Sequence, residues 1–438
     1  MIEIIKNIDD IEAFFDTLGQ RASVNNGDYS QLVKDIVNDV RINQDEALVR
    51  YTKKFDDPLF DIKNIEVTKE EMKAAFDSLD DKLKNVLIRS KKRIYSYHEH
   101  QKRESFMYTD SIGAKLGMKI TPLKRVGVYV PGGKAAYPSS VLMNVLPAKV
   151  AGCKEIVMVT PAVRGIVNPL VLAAAYICEV DNVYKVGGAQ AVAALAYGTE
   201  SIKRVDKIVG PGNIFVALAK REVYGIVGID SIAGPSEICI IADETCKPKF
   251  VAADLLGQAE HDELASSVLL ITDYAKAIEI KNELNKFYET SIRKNILEKS
   301  LTNYSKIIVV DSIDDAIKYA NRIAPEHLEL ASDFANDFVD KIENAGAIFI
   351  GHYSAESLGD YMSGPNHVLP TVGTARFFSP LGVDDFIKRT SLQEFTYDAA
   401  LKIIDDVEVF AEAEGLQMHA LSAKVRGKWY EVYEKKLF

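Results

Sequence analysis

Glu326 and His327 stand side by side in "APEHLEL" (324–330), directly after a proline. An imidazole beside a carboxylate can work as an acid–base pair: the histidine exchanges protons near neutral pH and the carboxylate can activate water. Proline suits the first position of a helix, so the stretch reads as a helix start with both residues in its first turn. There the positive helix terminus would disfavour an imidazolium and keep Glu326 ionised. Neighbouring side chains diverge by about 100° around a helix, so the two could reach different points on a substrate. The stretch alone also fits two solvent-facing residues.

Other polar residues fall in the same late part of the chain. "LLGQAEHDELA" (255–265) sets Gln258 and His261 three apart on one helical face, where an amide oxygen and an imidazole could grip a borderline metal ion. "HYSAESLGDYMSGPNHVLPT" (352–371) carries His352, Asp360 and His367 after the strand-like "GAIFIG", beyond a strand's carboxyl end, where binding residues are commonly hung. "AEAEGLQMHALS" adds Glu412, Glu414 and His419. Of seven histidines, five lie in these segments (His261, His327, His352, His367, His419), which suggests a metal site without an HExxH or CxxC spacing to set its geometry. Cys153, Cys178, Cys239 and Cys246 show no paired spacing and read as small buried hydrophobes.

The elements that must carry these residues change character along the chain. The first hundred residues are helical in pattern, with a Thr68-x-x-Glu71 capping box. From about residue 125, short β-branched runs alternate with helical patterns, which predicts parallel sheets with helical crossovers. "EIVMVTPA" and "EICIIAD" open segments of similar rhythm, as an internal duplication would. No GxGxxG follows a strand, but "YVPGGKAAYPS", "KVGGAQAVAALAYG" and "KIVGPGNIFVALAKR" each run from strand through glycines into helix. Such turns let backbone approach a ligand and offer helix N–H groups to phosphate, so a nucleotide is expected at these strand ends. The last sixty residues return to helical patterning.

A chain of 438 residues exceeds what one core usually serves, so at least two domains are expected. With 53 Lys and Arg against 63 acids, the net charge of −10 argues against nucleic acid or anionic lipid as the main partner. No apolar run is long enough for a membrane span, and the acidic start is unlike a secretory signal; a cytoplasmic protein is expected.

"YVPGGKAAYPS", "GGAQAVAALAYGT", "VGPGN", "DSIAGPSE", "GQAEHDE", "APEHLEL", "SGPNHVLPT" and "EGLQMHALS" occur in order, and together they resemble the histidinol dehydrogenases from about residue 30 to 425. The resemblance implies oxidation of L-histidinol to L-histidine through a bound aldehyde, with two NAD⁺, as the last step of histidine biosynthesis. It implies Zn²⁺ held by Gln258, His261, Asp360 and His419, and NAD⁺ contacts at Tyr129, Gln190 and Asn213. Substrate contacts fall on Ser236, His327, His367 and Glu414 beside the metal ligands. His327 would remove the alcohol proton and Glu326 would activate water for the aldehyde step. It further implies a homodimer whose C-terminal segment completes the partner's site. A ligand set without thiolate would also admit Mn²⁺ or Co²⁺.

The fold class expected is α/β, with two Rossmann-like parallel-sheet domains in an aldehyde-dehydrogenase-like arrangement and small helical extensions at both ends. The boundaries expected are an N-terminal extension 1–26, one domain from 27–129 with 238–378, an inserted cofactor domain 130–237, and a helical C-terminal arm 379–438. A zinc hydrolase built on the same ligands would leave the glycine turns unused and would turn over without NAD⁺. An aldehyde dehydrogenase with a catalytic cysteine would need one of the four thiols at the site.

Overall fold

A computed structural model of the chain describes residues 2–21, 26–132 and 137–433; residues 133–136 of the first glycine turn lie outside the described residues. The chain forms two compact units, residues 1–101 with 123–386, and residues 102–122 with 387–438. Its strands, in chain order among the described residues, are β1 (Glu3–Ile5), β2 (Glu66–Val67), β3 (Phe106–Thr109), β4 (Lys115–Pro122), β5 (Arg125–Tyr129), β6 (Glu155–Val159), β7 (Asn182–Tyr184), β8 (Lys207–Val209), β9 (Gly228–Ile229), β10 (Glu237–Ala242), β11 (Ser266–Ile271), β12 (Lys306–Val309), β13 (His327–Ala331), β14 (Ala347–Ile350) and β15 (Ile387–Glu394).

The first unit holds two six-stranded sheets, ordered β2-β7-β6-β5-β8-β9 and β1-β12-β11-β10-β13-β14. All pairings are parallel except that of β2 with β7. Counted from β5 in one sheet and β10 in the other, both read 3-2-1-4-5, the doubly wound order of nucleotide-binding sheets. The similar rhythm of the two sequence segments is therefore a repeated topology. The expected grouping of residues 27–129 with 238–378 needs correction: β5 pairs with β6 and β8 on either side, so it is central to the sheet of residues 66–229. The helical segment Asn26–Phe55 also packs its Val33, Ile36 and Val40 into the core of that sheet.

Both sheets are covered on two faces, which is why their central strands are continuous apolar runs. Side chains alternate between faces. Ile238 and Ile240 enter one core with Leu255, Leu284 and Leu301, while Cys239 and Ile241 enter another with Phe14, Ile317 and Ala320. In the other sheet Val126 and Val128 pack with Leu142 and Leu146, whereas Tyr129 packs toward Val192 and Leu195.

The second unit is a three-stranded antiparallel sheet, ordered β15-β4-β3, followed by helices Tyr397–Leu401, Ile404–Ala413 and Gln417–Tyr433. The C-terminal segment, expected to be mostly helical, opens with a strand, because β4 supplies an eight-residue partner for β15. No helix among the described residues is long and apolar enough to cross a membrane.

Candidate active site

The stretch around Glu326 departs from the expected helix start. The helix Ile313–Ile323 ends at Ala324, whose left-handed φ of 51° and N–H bond to Ala320 close it, and Pro325 cannot continue it. His327 is instead the first residue of β13, in register with Ile238 of β10 and Ala347 of β14. The tertiary partners on both sides override the local helical reading. Gly346 is required beside this turn: a Cβ there would lie 2.5 Å from the Glu326 carbonyl oxygen, which accepts from the Ala347 N–H at 2.9 Å.

One backbone unit holds both side chains. The N–H of Glu237, the first residue of β10, donates to Glu326 Oε2 at 3.0 Å, and its carbonyl oxygen lies 3.1 Å from His327 Nδ1. A carbonyl only accepts, so the proton belongs on Nδ1, and Nε2 is left as a bare lone pair. Nε2 is buried and without a hydrogen-bond partner. Burial pushes the His327 imidazole down to about 3, helped by His261 and His367 nearby. Neutrality, first attributed to a helix terminus, is enforced by desolvation. Burial likewise raises the Glu326 carboxyl well above its usual range, and the charges of Glu237 and Asp360 raise it further. Ser236, just before β10, hydrogen-bonds the same carboxyl.

Beside this pair lies a donor cluster. Gln258, at the end of the helix Pro248–Ala259, is fully buried. The ligand atoms of His261, Glu356 and Asp360 lie within 4.8 Å of one another. The Gln258 amide oxygen faces the Glu356 carboxylate oxygens at 2.7 and 3.0 Å and lies 3.2 Å from the protonated His327 Nδ1; turning the amide over would make it a donor to the carboxylate but would set an N–H against that Nδ1–H. As placed, amide oxygen, two carboxylates and an imidazole form an all-acceptor set that a divalent cation would neutralise, so the residues fit a borderline metal ion. Burial raises Asp360 to about 6 and Glu356 well above its usual range, a state such a cation would reverse. Glu356 was missed in the sequence, although its spacing of four from Asp360 was a readable sign of one shared helical face.

A cavity of about 310 Å³ is lined by His327, Phe349, Asp360, Asn366 and His367, among others, at the small end of ligand sites. Asn366 is fixed by its side-chain N–H donation to Met143 O at 2.7 Å and lies 3.5 Å from Nε2 of buried His98. His367 Nδ1 lies 3.8 Å from Asp360 Oδ1. His352 turns instead to Asp333, 3.0 Å away, and does not line the cavity. The four cysteines are buried, their thiols pushed up to about 11 in Cys153 and Cys246 and about 12 in Cys178, and none lines the cavity.

The three residues expected at the cofactor lie at strand ends of the other sheet. Tyr129 ends β5 and its hydroxyl accepts from the Gly188 N–H at 3.0 Å. Gln190, in the first turn of helix Gly188–Tyr197, donates to Asp56 at 3.2 Å. Asn213 caps helix Ile214–Val223 through Phe215 and Val216 N–H groups. β5 and β8 flank the point where the strand order reverses, the usual crevice for a nucleotide. Residues 230–236 join the carboxyl end of β9 to the amino end of β10, a reach of at most about 25 Å. Glu414 and His419 belong to the second unit and are exposed there.

Residues 19–427 match the family model described as histidinol dehydrogenase. Curated histidinol dehydrogenases share this sequence closely. That of Clostridium acetobutylicum is 51% identical over 96% of this chain and 97% of its own length, and that of Nitrosomonas europaea is 52% identical over 90% and 91%. The crystal structure of histidinol dehydrogenase from Elizabethkingia anophelis superposes with a TM-score of 0.92 at 38% identity, covering 98% of this chain and 99% of that one. A buried acid–base pair, an adjoining donor cluster and two doubly wound sheets thus occur in a chain that belongs to the histidinol dehydrogenase family.

Proposed function

We propose that the chain oxidises L-histidinol to L-histidine in two NAD⁺-dependent steps, with His327 and Glu326 moving the protons. The observation that carries this reading is the buried, unpartnered Nε2 of an imidazole whose Nδ1 is pinned on a carbonyl. Zn²⁺ held by Gln258, His261 and Asp360, with Glu356 adjoining and His419 supplied by the partner subunit, would give the substrate's imidazole and amine nitrogens an orienting Lewis acid. NAD⁺ seated against Tyr129, Gln190 and Asn213 would accept one hydride in each step.

In the first step His327 Nε2 takes the hydroxyl proton from oxygen as hydride leaves the carbon that bears it, and the Nδ1–H bond to the Glu237 carbonyl holds the ring in place. In the second, Glu326 takes a proton from the water that adds to the aldehyde, and the hydrate then loses hydride. Alcohol and water together yield carboxylate, two hydrides and three protons. Ser236, His367 and Glu414 would hold the substrate. The sharing of Glu414 and His419 implies a homodimer, and the reaction is that of a cytoplasmic biosynthetic enzyme.

Purified protein given L-histidinol and NAD⁺ should form two NADH per histidinol consumed, lose activity on chelation and regain it with Zn²⁺. Turnover that produces no NADH would sink the proposal in favour of a hydrolase.

A further inference from the structure

We infer that Arg21 is a positioning residue for both catalytic side chains, acting through Glu237. The inference rests on the acid–base reading of Glu326 and His327. Arg21 closes the helix Ile8–Gln20, and its side chain is wholly buried. Its guanidinium pairs with the Glu237 carboxylate and reaches the Leu264 carbonyl at 3.3 Å. The same carboxylate accepts from the Val372 N–H at 2.8 Å and from Gly373. Two segments therefore converge on the Glu237 carboxylate, the end of the first helix and the loop after His367, and Arg21 ties the turn after His261 to them through Leu264. The Glu237 backbone, in turn, holds Glu326 by N–H and His327 by carbonyl.

A buried ion pair is a weak source of net stability, because desolvation offsets its attraction. Its distinctive contribution here is geometric, since the planar fork of an arginine fixes the carboxylate that fixes the backbone. Neither Arg21 nor the Glu237 carboxylate takes part in the proton steps proposed above. An anchor for the peptide that sets both proton-transfer groups accounts for their burial.

The test uses full-length, zinc-loaded Arg21→Lys, Arg21→Met and Arg21→Met/Glu237→Gln, with Glu326→Gln and His327→Ala made alongside. Steady-state rates are normalised to folded protein by circular dichroism. Loss of alignment should lower kcat about 10–100-fold in Arg21→Met and in the double variant, with KM for histidinol within about threefold of wild type. Arg21→Lys should recover most of that loss. The double variant leaves no unpaired carboxylate and decides the matter where Arg21→Met fails to fold. A folded double variant with wild-type kcat overturns the inference, as does a loss of rate matched throughout by loss of folded protein. Wild-type turnover in Glu326→Gln and His327→Ala would instead overturn the acid–base reading itself. Loss of turnover in those two with wild-type rates in the Arg21 variants would overturn the Arg21 inference alone.

Discussion

His327, the base in the proposed reaction, needs no nearby cation to stay neutral; its burial in the sheet does that. The sign of each shift separates the two half-reactions. A depressed imidazole is neutral above about pH 3, so the base proposed for the alcohol step is ready well into the acid range. A raised carboxyl is protonated below its elevated value, so Glu326 loses its basic form first as pH falls. Rates measured separately with histidinol and histidinal between about pH 5 and pH 9 should therefore decline on acidification earlier for the aldehyde. Glu326→Gln should slow aldehyde oxidation by about 10²–10⁴-fold and alcohol oxidation much less; equal loss of both would show the division of labour is wrong. Glu356→Ala, removing a carboxylate beside Gln258, should weaken zinc binding by about 10–100-fold. Competition against a chromophoric chelator measures this without reference to turnover.

At the scale of elements, the two sheets share a strand order but use opposite edges. In the sheet of β5, glycine turns crowd the carboxyl ends. Gly210 has a φ of 114°, and any Cβ there would overlap the Tyr129 carbonyl oxygen. Its N–H donates to Asp230 at 2.7 Å and its carbonyl accepts from buried Lys220 at 3.1 Å. Gly210→Ala should raise KM for NAD⁺ about tenfold with a smaller effect on kcat, together with a lower melting temperature. In the sheet of β10, the corresponding carboxyl-end crevice is filled by the protein itself: Ser332 donates to Asp243, and Asp333 N–H to Thr245. The proposed acid–base pair sits at the amino end of β13 instead, held by the backbone at the amino end of β10. The glycine turns stand at carboxyl ends, whereas Asp360 and His367, although they follow β14 in the chain, line a cavity with His327.

At the scale of the molecule, the C-terminal helices expose large apolar side chains, with Val409 at 69%, Phe410 at 70% and Met418 at 65% of their free surface. Patches of this kind mark protein contacts, and in the homodimer proposed above a second copy of the chain would cover them while bringing His419 to the proposed site. Phe410→Glu should therefore yield a monomer by sedimentation, with little activity. Mixed refolding of the inactive variants His327→Ala and His419→Ala should restore activity in hybrid dimers; no restoration would argue for sites built within one chain.

Much of this was legible in the residues alone. Buried parallel strands write themselves as continuous apolar runs, and glycine turns need glycine for close backbone approach; Gln258 and His261 read as one helical face, but the helix ends at Ala259 and His261 lies in the turn beyond it. The ordered motifs pointed to the family. Three-dimensional pairing decided the rest. "HLELA" is too short and too polar to declare itself a strand, and it is one because β10 and β14 flank it. Glu356 drew no notice in the sequence; folding buries it against Gln258. The neutrality of His327 could not be read from its neighbours in sequence, because it comes from the protein that excludes water around the ring. The bond that orients that ring comes from Glu237, ninety residues earlier in the chain. Local sequence sets what each segment can be; burial and partners distant in sequence set which proton each side chain holds.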